Sequence, residues 1–564
     1  MKIPSEFAPR LRPEAVIADG ATKSAGPRNL RIALIGVKFE PSYFGFDHYL
    51  SILPGKIRAQ MPVGALALLA ALVPETHEVE IFDENVSPLD FDRLSEFDII
   101  GITGMIVQCD ALKRVLLRLS EFPGLLVVGG PYASVDQSFF SGLCDVLFDG
   151  EADETWPQFI AAVANGEEHL SLYKQIANSD LTKLPTPRFD LLDTRAYALA
   201  SIQYSRGCPF LCEFCDIITI FGRRPRAKDP EQIIQEIEAL RSQGINAAFL
   251  VDDNFIGNKK LAKALLKRLI EWQNANGNCF RLTTEASIDL ADEPELLELM
   301  KRANFTSVFI GIESTNVDSL KETRKVQNIR GDGLLAKVDR IRDAGLIIYA
   351  GFIVGFDSDG PDVFEKQFQF ISQSNIAQAA IGTLSAIPTT PLYNRLKAEG
   401  RLRSDQPICN FQPKQITFDE LRDGYFDLTA KTYTAEEYFG RIERNILSSP
   451  TLRNQQLKRT RSSVLDSFKH QAFSAILIWR LARALARDGE LRQLGGTYMR
   501  LYRKWKKDRR LALPLFTFVQ YAGQHWHFYK FYKDMRSDPA RLRIGFDYQH
   551  SSEPEIAFEA TVQT

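Results

Sequence analysis

The sequence predicts an α/β protein in three parts: an N-terminal doubly wound domain, a central partial (β/α)6 barrel and a C-terminal, mainly helical domain. Short apolar runs alternate with amphipathic segments over residues 30–165 and again over 201–404, which is typical of parallel sheets covered by helices. From 405 to 564 the periodicity is helical and aromatic residues are dense. A chain of 564 residues is too long for a single core, so several domains are expected.

The composition is that of an ordinary globular protein. With 45% hydrophobic residues, 25% charged residues and a formal net charge of -2, the chain gives no general reason to expect a nucleic acid partner. Residues 1–29 contain four prolines and lack a secretory signal pattern, so we expect a flexible segment there and a cytoplasmic protein. The apolar runs are shorter than the roughly 20 residues that span a bilayer, which predicts no transmembrane helix.

The first domain reads as a Rossmann-like sheet. Its strands are predicted at 32–37, 78–82, 99–103, 125–128 and 145–148. Glycines follow several of these strands, at Gly36, Gly104, Gly129, Gly130 and Gly150. Open sheets bind ligands in the crevice outside their carboxyl edge, so these positions indicate a cofactor site. Because no G-x-G-x-x-G motif follows the first strand, a dinucleotide is disfavoured.

A linker is predicted over residues 166–200, where proline and charge are frequent. The barrel strands are then predicted at 201–204, 247–251, 280–284, 307–312, 347–354 and 379–384. Helix signals separate them: Asp229-Pro230 is a cap followed by a first-turn proline, and Gly244 ends the same helix. Reactive groups in such barrels lie at the carboxyl ends of the strands.

Three cysteines follow the first barrel strand, in a C-x3-C-x2-C pattern formed by Cys208, Cys212 and Cys215. An iron-sulfur cube held by three thiolates keeps one iron open to another ligand. The alternative is a structural zinc site, which needs four ligands, and no second Cys or His pair follows Cys215. The other four cysteines are scattered singly and read as buried hydrophobes.

With Phe214 directly before the last cysteine, this motif resembles that of the radical S-adenosylmethionine superfamily. The resemblance implies a [4Fe-4S] cluster whose free iron is chelated by S-adenosylmethionine. One electron, supplied by an external donor, then cleaves a sulfonium bond and yields a 5′-deoxyadenosyl radical.

Polar residues at later strand ends fit the same resemblance. Asp252, Asp253 and Asn254 end the second barrel strand, where the family anchors the methionine amino group, and an ammonium needs acceptors. Glu285 ends the third strand, and Glu313 and Ser314 end the fourth; the resemblance assigns these regions, with Phe214, to S-adenosylmethionine binding. The alternatives are an ordinary turn at Asp252 and Asp253 and solvated or capping charges at the glutamates.

The order of modules narrows the resemblance to the cobalamin-binding radical S-adenosylmethionine enzymes. It implies cobalamin on the first sheet, and the residues that we assign to it follow the strand ends: Gly104, Met105, Val107, Gln108, Gly129, Gly130, Gly150 and Glu151. The Asp-x-His-x-x-Gly motif is absent, so the lower face of the cofactor is expected to lie against backbone or residues such as Met105. The alternative is a sheet kept only as scaffold.

Together the implied cofactors predict an enzyme that transfers a methyl group to an unactivated carbon. The cofactors carry the central chemistry, so no catalytic acid or base is assigned. The same scaffold also carries out cyclisations and ring rearrangements without methyl transfer, and the motifs do not separate these outcomes. A methylthiotransferase would need further N-terminal cysteines, which this sequence lacks.

The C-terminal domain mixes aromatic and basic residues. Aromatic stripes at helical spacing usually form core, which is one interpretation. The other is a lid that admits a bulky apolar substrate, such as a polycyclic lipid, from a membrane surface, since basic and aromatic residues suit the interface. The predicted partners are therefore a small-molecule or lipid substrate and an electron donor, with peripheral membrane contact through this domain.

Overall fold

The computed structural model describes residues 28–539 except 404, 407, 453–463, 490, 509, 512 and 513. It confirms the predicted fold class, with two parallel sheets followed by a helical region. The segment predicted to be flexible lies, up to residue 27, outside the described residues.

The first sheet has six parallel strands in the order β2-β1-β3-β4-β5-β6. Its strands are β1 Arg31–Gly36, β2 Glu78–Asp83, β3 Ile99–Thr103, β4 Leu125–Gly129, β5 Val146–Asp149 and β6 Leu172–Lys174. The strand order reverses between β1 and β3, which makes the crevice outside their carboxyl ends the expected ligand position. Strand β6 lies within the segment predicted as a linker. The sequence did not predict it because three residues are too few to show a strand pattern.

Helices cover both faces of this sheet, which explains why its strands are nearly continuous apolar runs. The covering helices are α2 Gly64–Ala71, α3 Phe91–Leu94, α4 Cys109–Arg118, α5 Pro131–Val135 and α6 Thr155–Asn165, whereas α1 Asp47–Ile52 packs against the C-terminal region.

The second sheet is the partial barrel, six parallel strands in the order β14-β13-β12-β11-β10-β7. Its strands are β7 Ala200–Ile202, β10 Ala247–Leu250, β11 Arg281–Ala286, β12 Phe305–Glu313, β13 Ile347–Val354 and β14 Gln378–Thr383. A short antiparallel hairpin, β8 Ser205–Arg206 with β9 Arg226–Ala227, brackets the cysteine loop. Two-residue strands leave no periodic pattern, so the sequence did not predict this hairpin.

The barrel helices are α7 Ile217–Ile220, α8 Pro230–Ser242, α9 Lys259–Ala275, α10 Pro294–Arg302, α11 Val317–Glu322, α12 Leu334–Asp343, α13 Val363–Ser374 and α14 Pro391–Ala398. Helix α8 begins as predicted: Pro230 is its first residue, and Asp229 and Gln232 form a capping box. Gly244 follows its end with φ +82°.

The outer edge of β14 pairs with tyrosine hydroxyls instead of a further strand. Tyr433 accepts from Ala379 N at 3.1 Å and donates to Ala379 O at 2.8 Å. Tyr532 accepts from Ile381 N at 3.4 Å, and Tyr425 donates to Ile381 O at 3.3 Å. The edge of this incomplete barrel is therefore satisfied by side chains of the C-terminal region.

The C-terminal helices are α15 Phe418–Thr432, α16 Ala435–Ser448, α17 Val464–Arg487, α18 Arg492–Lys507 and α19 Leu515–Ser537. Helix α19 packs against α1 of the first domain: Gly523 leaves room for the ring of Tyr49, whose Cδ2 would lie 2.7 Å from any Cβ at that position. No helix among the described residues combines the length and apolar character needed to cross a membrane.

The loop between β1 and α1 reaches both other parts of the molecule. Tyr43 stacks on Phe528 of α19 at 4.8 Å between ring centroids, and Phe46 stacks on His527. Phe44 is 56% exposed and meets Phe309 of β12 edge to face at 5.5 Å. An aromatic side chain of the first domain thus reaches a barrel strand.

Candidate functional site: the cysteine loop and the facing sheet edge

The loop that carries Cys208, Cys212 and Cys215 is held at both ends by backbone hydrogen bonds. Gly207 N donates to Asp253 Oδ2 at 2.7 Å, and Cys208 N donates to Gly222 O at 3.3 Å. Gly207 has φ +94°, and a Cβ there would lie 3.0 Å from the carbonyl oxygens of Gly222 and Arg224, which precede β9. A glycine is required at this position by both its backbone conformation and its close packing.

Two side-chain amides face the thiols. Asn254 Nδ2 lies 4.0 Å from Cys208 Sγ, and Gln327 Nε2 lies 3.7 Å from Cys212 Sγ. Burial raises the pKa of the Cys208 and Cys215 thiols, so metal binding must drive their deprotonation. Amide donors favour the thiolate over the thiol and are among the groups that tune iron-sulfur centres.

Lys325 adds a buried positive charge beside the loop. Its ammonium lies 2.6 Å from Glu313 Oε1 and 5.9 Å from the ring centroid of Phe214. Burial alone would lower the pKa of Lys325, but Glu313 and the sulfurs of Cys212 and Cys215 raise it above its usual value. The amine therefore remains an ammonium, which suits an anionic group bound by the thiols.

The donor set fits an iron-sulfur cube better than a single ion. Among the described residues, no three His, Cys, Asp or Glu side chains converge on one ion position, as a structural zinc site would require. A cube takes its thiolates on different irons, so its ligands need not converge. Three thiols on one loop, two amide donors and one ammonium are the groups that such a cluster needs.

Asp252 and Asp253 perform structural tasks next to this loop. Asp252 accepts from Tyr204 N at 2.8 Å and from Ser205 N at 3.0 Å, and it also accepts from the Ser205 hydroxyl. Burial raises the pKa of Asp252 to about 6 and that of Asp253 to about 7, against these hydrogen bonds. Asn254 lies behind Cys208 and also donates to Ser287 Oγ.

Glu285 and Glu313 end neighbouring strands on the same side of the barrel. Partial burial raises the pKa of Glu285 to about 7, with further contributions from Asp253 and Glu313. Glu313 has φ +63° at a register shift between β12 and β13. A left-handed backbone is unfavourable for glutamate and marks a position that its surroundings enforce. Ser314, fully buried, accepts from Asn316 N at 3.0 Å.

Phe214 is half-buried and packs edge to face on Phe356 at 6.4 Å between centroids. Of the residues assigned from sequence to S-adenosylmethionine, the structure therefore brings Asn254 and Phe214 to the cysteine loop. Asp253 accepts a hydrogen bond from the loop, and Glu313 forms an ion pair with Lys325. The negative charges of Asp253 and Glu313 both act on Glu285.

The loop after β3 presents apolar side chains at the carboxyl edge of the first sheet. Met105 is 47% and Val107 is 49% exposed, whereas Gln108 is buried. Gln108 donates to Val37 O at 2.6 Å and accepts from Met105 N at 2.8 Å, so its polar atoms are already engaged. Two exposed apolar side chains at the crevice between β1 and β3 suit the broad face of a planar cofactor.

The glycines assigned to the cobalamin site lie where their missing side chains make room for the protein itself. A Cβ at Gly104 would lie 2.8 Å from Leu112 Cδ1, and one at Gly129 would lie 3.3 Å from Phe148 Cβ. Gly130 and Gly150 have φ +100° and +89°, and side chains there would meet Thr103 and Gln175. Their contact with cobalamin remains a prediction, and at Gly130 and Gly150 the positive φ already favours glycine.

The two histidines of this domain contact groups other than the residues assigned to cobalamin. His77 accepts from Leu30 N at 3.2 Å, at the amino ends of β1 and β2. His48 lies on α1, 3.5 Å from Asp534 of α19. Neither position offers a ligand at the crevice.

A cavity of about 540 Å³ lies between the carboxyl edge of the first sheet and the barrel. Ser134, Gly150 and Gln175 line it on the sheet side. Thr219 and Thr389, whose hydroxyls are 3.3 Å apart, line it on the barrel side. Of the residues assigned to cobalamin, Gly150 lines this cavity, and the three motif cysteines are not among its lining residues.

A buried ion cluster joins the two regions. Glu151 lies 2.9 Å from Arg206 Nη1 and 3.0 Å from Arg226 Nη1, and Arg206 also pairs with Asp153. Arg206 and Arg226 face each other on β8 and β9, which bracket the cysteine loop. Burial would lower the pKa of Arg206, but Asp153 and Glu151 raise it. Glu151, assigned from sequence to cobalamin, instead has both carboxylate oxygens in this cluster.

Sequence reasoning missed four residues of the site: Lys325, Gln327, Arg206 and Arg226. The partners of Arg206 lie more than 50 residues earlier, and Gln327 meets a cysteine 115 residues away. Only Arg206, directly before Gly207-Cys208, stood next to a recognised motif, and a basic residue there could have been noted.

Comparisons with known proteins show which families and proteins this chain is similar to. Residues 202–371 match the model of the Radical SAM superfamily, and 390–540 match a domain of unknown function, DUF4070. An uncharacterized methyltransferase of Synechocystis is 36% identical over 427 residues, which cover 74% of this chain and 79% of the relative. The hopanoid C-2 methylase of Rhodopseudomonas palustris is 32% identical over 461 residues, which cover 81% and 87%.

A solved structure shares the fold over most of the chain. The cobalamin-dependent S-adenosylmethionine radical enzyme OxsB, solved with aqua-cobalamin and S-adenosylmethionine bound, matches with a TM-score of 0.57 and 14% identity, covering 91% of this chain and 82% of OxsB. A six-stranded parallel barrel that carries a three-cysteine loop after its first strand defines a radical S-adenosylmethionine enzyme. This chain belongs to the family of radical S-adenosylmethionine enzymes that includes the hopanoid C-2 methylase.

Proposed function

We propose that this enzyme is a cobalamin-dependent C-methyltransferase that acts on an unactivated carbon of a bulky apolar substrate. The observation that carries the proposal is the ion cluster of Glu151, Arg206, Arg226 and Asp153, which fixes the cysteine loop against the carboxyl edge of the first sheet. Such an arrangement fixes the two candidate cofactor regions against each other, which suits a reaction that needs two cofactors.

The residues of the chain would hold and orient the reacting groups. When bound, the cluster with S-adenosylmethionine supplies hydrogen-atom abstraction from carbon, and cobalamin supplies a methyl group. Cys208, Cys212 and Cys215 would hold the cluster, and Asn254, Gln327 and Lys325 would stabilise its negative charge. Glu285 and Glu313 would hold S-adenosylmethionine, and Met105 and Val107 would lie against cobalamin. The close packing of the two domains would exclude water from reactive groups.

The substrate class follows from the surroundings of the barrel and from the relatives. Phe44 and Phe309 form an aromatic contact where the first domain meets β12, and Phe44 remains more than half exposed. Exposed aromatic side chains at a site suit an apolar substrate. One relative is named for hopanoids, so a polycyclic lipid of this type is the substrate that we propose. We also propose peripheral membrane contact through the C-terminal domain and an external electron donor.

Anaerobic reconstitution with iron, sulfide, cobalamin and S-adenosylmethionine tests the function. With a pentacyclic triterpenoid and a strong reductant, we expect a product heavier by one methylene group per transfer. A product that has gained no carbon and differs from the substrate only in its rings would show cyclisation or rearrangement and would contradict methyl transfer. The matched control is Cys279→Ala, a cysteine remote from the loop in sequence, which should retain the activity that Cys212→Ala loses.

A further inference from the structure

A second and larger cavity, of about 1010 Å³, lies at the other end of the barrel. We call it the lower chamber. Strand residues that line it are Arg281 of β11, Tyr349 of β13 and Gln378 of β14. Helices α16, α17 and α19 close it with Ile446, Ile478 and Phe516, among others. The chamber is therefore bounded on one side by the barrel sheet and on the other by the C-terminal domain.

The lower chamber and the candidate site share one face of the barrel sheet. Side chains alternate along a strand, so Arg281 and Glu285 point to the same side of β11. They are four residues apart, which is about 13 Å at 3.3 Å per residue. The opposite face is different: Leu282, Ile348 and Ala379 are buried against helices. An elongated molecule in the chamber would thus lie beside the strands that lead to the cofactor region.

Strand β14 provides space along this route. Gln378, Ala380 and Gly382 share its chamber-facing side, and Ala380 and Gly382 are both half-buried. A Cβ at Gly382 would have nothing within 4 Å, so open space extends beyond the chamber lining toward the carboxyl end. Small side chains continue the volume of the cavity in the direction of the site.

The rim of the lower chamber is exposed and apolar. Ile478 and Leu515 line the chamber and are also exposed, Trp479 follows Ile478 on the exposed side of α17, and Ile476 is exposed on the other flank of that side. Trp479 is 59% exposed. An apolar helix face turned to water is uncommon and marks a contact surface for a partner or a membrane.

Basic residues accompany this rim. Arg483 lies over the ring of Trp479, with 5.5 Å from its guanidinium carbon to the ring centroid, and Arg487 follows one turn later, exposed. Aromatic and apolar side chains flanked by arginines are the composition that binds anionic lipid interfaces. The rim therefore fits a bilayer surface better than an acidic protein partner, whose recognition would not use the exposed isoleucines.

We propose that the lower chamber binds the apolar body of a lipid substrate, which enters from an anionic membrane surface between α17 and α19 while its reacting carbon lies at the carboxyl ends of the barrel strands. The position of the reacting carbon in this proposal rests on the proposed methyl transfer. Binding of the lipid in the lower chamber does not depend on that chemistry and can be measured without any cofactor.

The binding test uses dehydroergosterol, a fluorescent polycyclic lipid, in vesicles of phosphatidylcholine with phosphatidylglycerol. Energy transfer from protein tryptophans to the probe reports binding by the full-length chain. Ala475→Trp fills the chamber mouth, because Ala475 lines the chamber and is exposed, and should weaken binding about tenfold or more. Ala482→Trp is the matched control, exposed on the same helix face two turns further along but not in the lining, and should bind within about twofold of the unmodified protein.

The catalytic test separates the chamber from the proposed function. Gly382→Phe should retain S-adenosylmethionine cleavage in the absence of lipid but lose about tenfold or more of the methylated triterpenoid, while Gly333→Phe, at another open position, should retain both. Equal dehydroergosterol binding by Ala475→Trp and the unmodified protein would overturn the chamber proposal. Binding that is lost in Ala475→Trp, together with no methylated product from the unmodified enzyme, would uphold the chamber and reject the methyl transfer.

Discussion

Asp252 and Asp253 illustrate how neighbouring residues of one type divide their tasks. Asp252 accepts three hydrogen bonds, from Tyr204 N and from the amide and hydroxyl of Ser205. Asp253 accepts one hydrogen bond from Gly207 N, next to the first cysteine. The sequence predicted that both would serve S-adenosylmethionine because both follow a strand end. The sequence alone could not show that both carboxylates accept hydrogen bonds from the backbone just before the first cysteine.

At the three motif cysteines, we expect each alanine substitution to abolish cluster assembly, because each thiolate binds a separate iron and the loop offers no substitute. Iron and sulfide content with the visible absorption spectrum of anaerobically reconstituted protein measures this. Cys279→Ala, outside the loop, should assemble a normal cluster. A full cluster in Cys208→Ala, Cys212→Ala or Cys215→Ala would contradict the assignment.

Glu285 should make S-adenosylmethionine binding depend on pH. Its pKa of about 7 leaves about one tenth of the carboxylate ionised at pH 6 and about nine tenths at pH 8. Since the ligand carries a net positive charge, we expect affinity to rise several-fold between these values. Equilibrium binding to the reconstituted enzyme tests this, and Glu285→Gln should show a smaller rise, with the remainder attributable to Asp253. An identical pH dependence in the variant would remove Glu285 from the ligand site.

At the scale of elements, the β8–β9 hairpin forms a buried ionic contact between the first sheet and the barrel. It is two residues long on each side, yet it carries the two arginines that meet Glu151, and it brackets the cysteine loop. The long strands of both sheets could be predicted from periodicity, since apolar runs of four to eight residues report burial directly. The hairpin and β6 could not be predicted in this way. These short stretches are strands because they pair with distant segments, and their local sequence shows no strand pattern.

Removing the central carboxylate should therefore destabilise the protein strongly. Glu151→Gln leaves Arg206 and Arg226 buried with fewer acceptors, and breaking a buried pair in this way costs about 3–5 kcal/mol. Urea denaturation of the apoprotein measures the change in the free energy of unfolding. Glu231→Gln is the control, since its partner Arg268 is partly exposed and such pairs contribute less than about 1 kcal/mol. Equal effects of both substitutions would show that the cluster does not hold the domains together.

At the scale of the whole molecule, the C-terminal helices are part of the core and not an appendage. Side chains of α15, α16, α18 and α19 belong to the same hydrophobic cluster as the barrel strands and α1. The sequence left open whether the aromatic residues of this region form core or a lid. The buried tyrosines and Phe528 form core, while Trp479 lies exposed on the rim of the lower chamber.

The contact of α19 with α1 should be sensitive to a single added side chain. Gly523→Leu would force the Tyr49 ring away, because even a Cβ would lie 2.7 Å from it. We expect the variant to be cleaved faster by proteases between residues 30 and 60, which limited proteolysis with mass spectrometry would detect. Gly496→Leu, in a helix with nothing within 4 Å, should leave the cleavage pattern unchanged. Unchanged cleavage in Gly523→Leu would show that this helix pair can rearrange at little cost.

The tyrosine hydroxyls along β14 have a consequence for the life of the chain before it is complete. Tyr425, Tyr433 and Tyr532 cover an edge that was synthesised between 44 and 151 residues earlier. While the ribosome is still making α19, Ile381 offers an uncovered amide to any neighbouring polypeptide. Truncated forms that end before Tyr532 are therefore expected to self-associate through this strand, whose edge α19 covers in the complete protein.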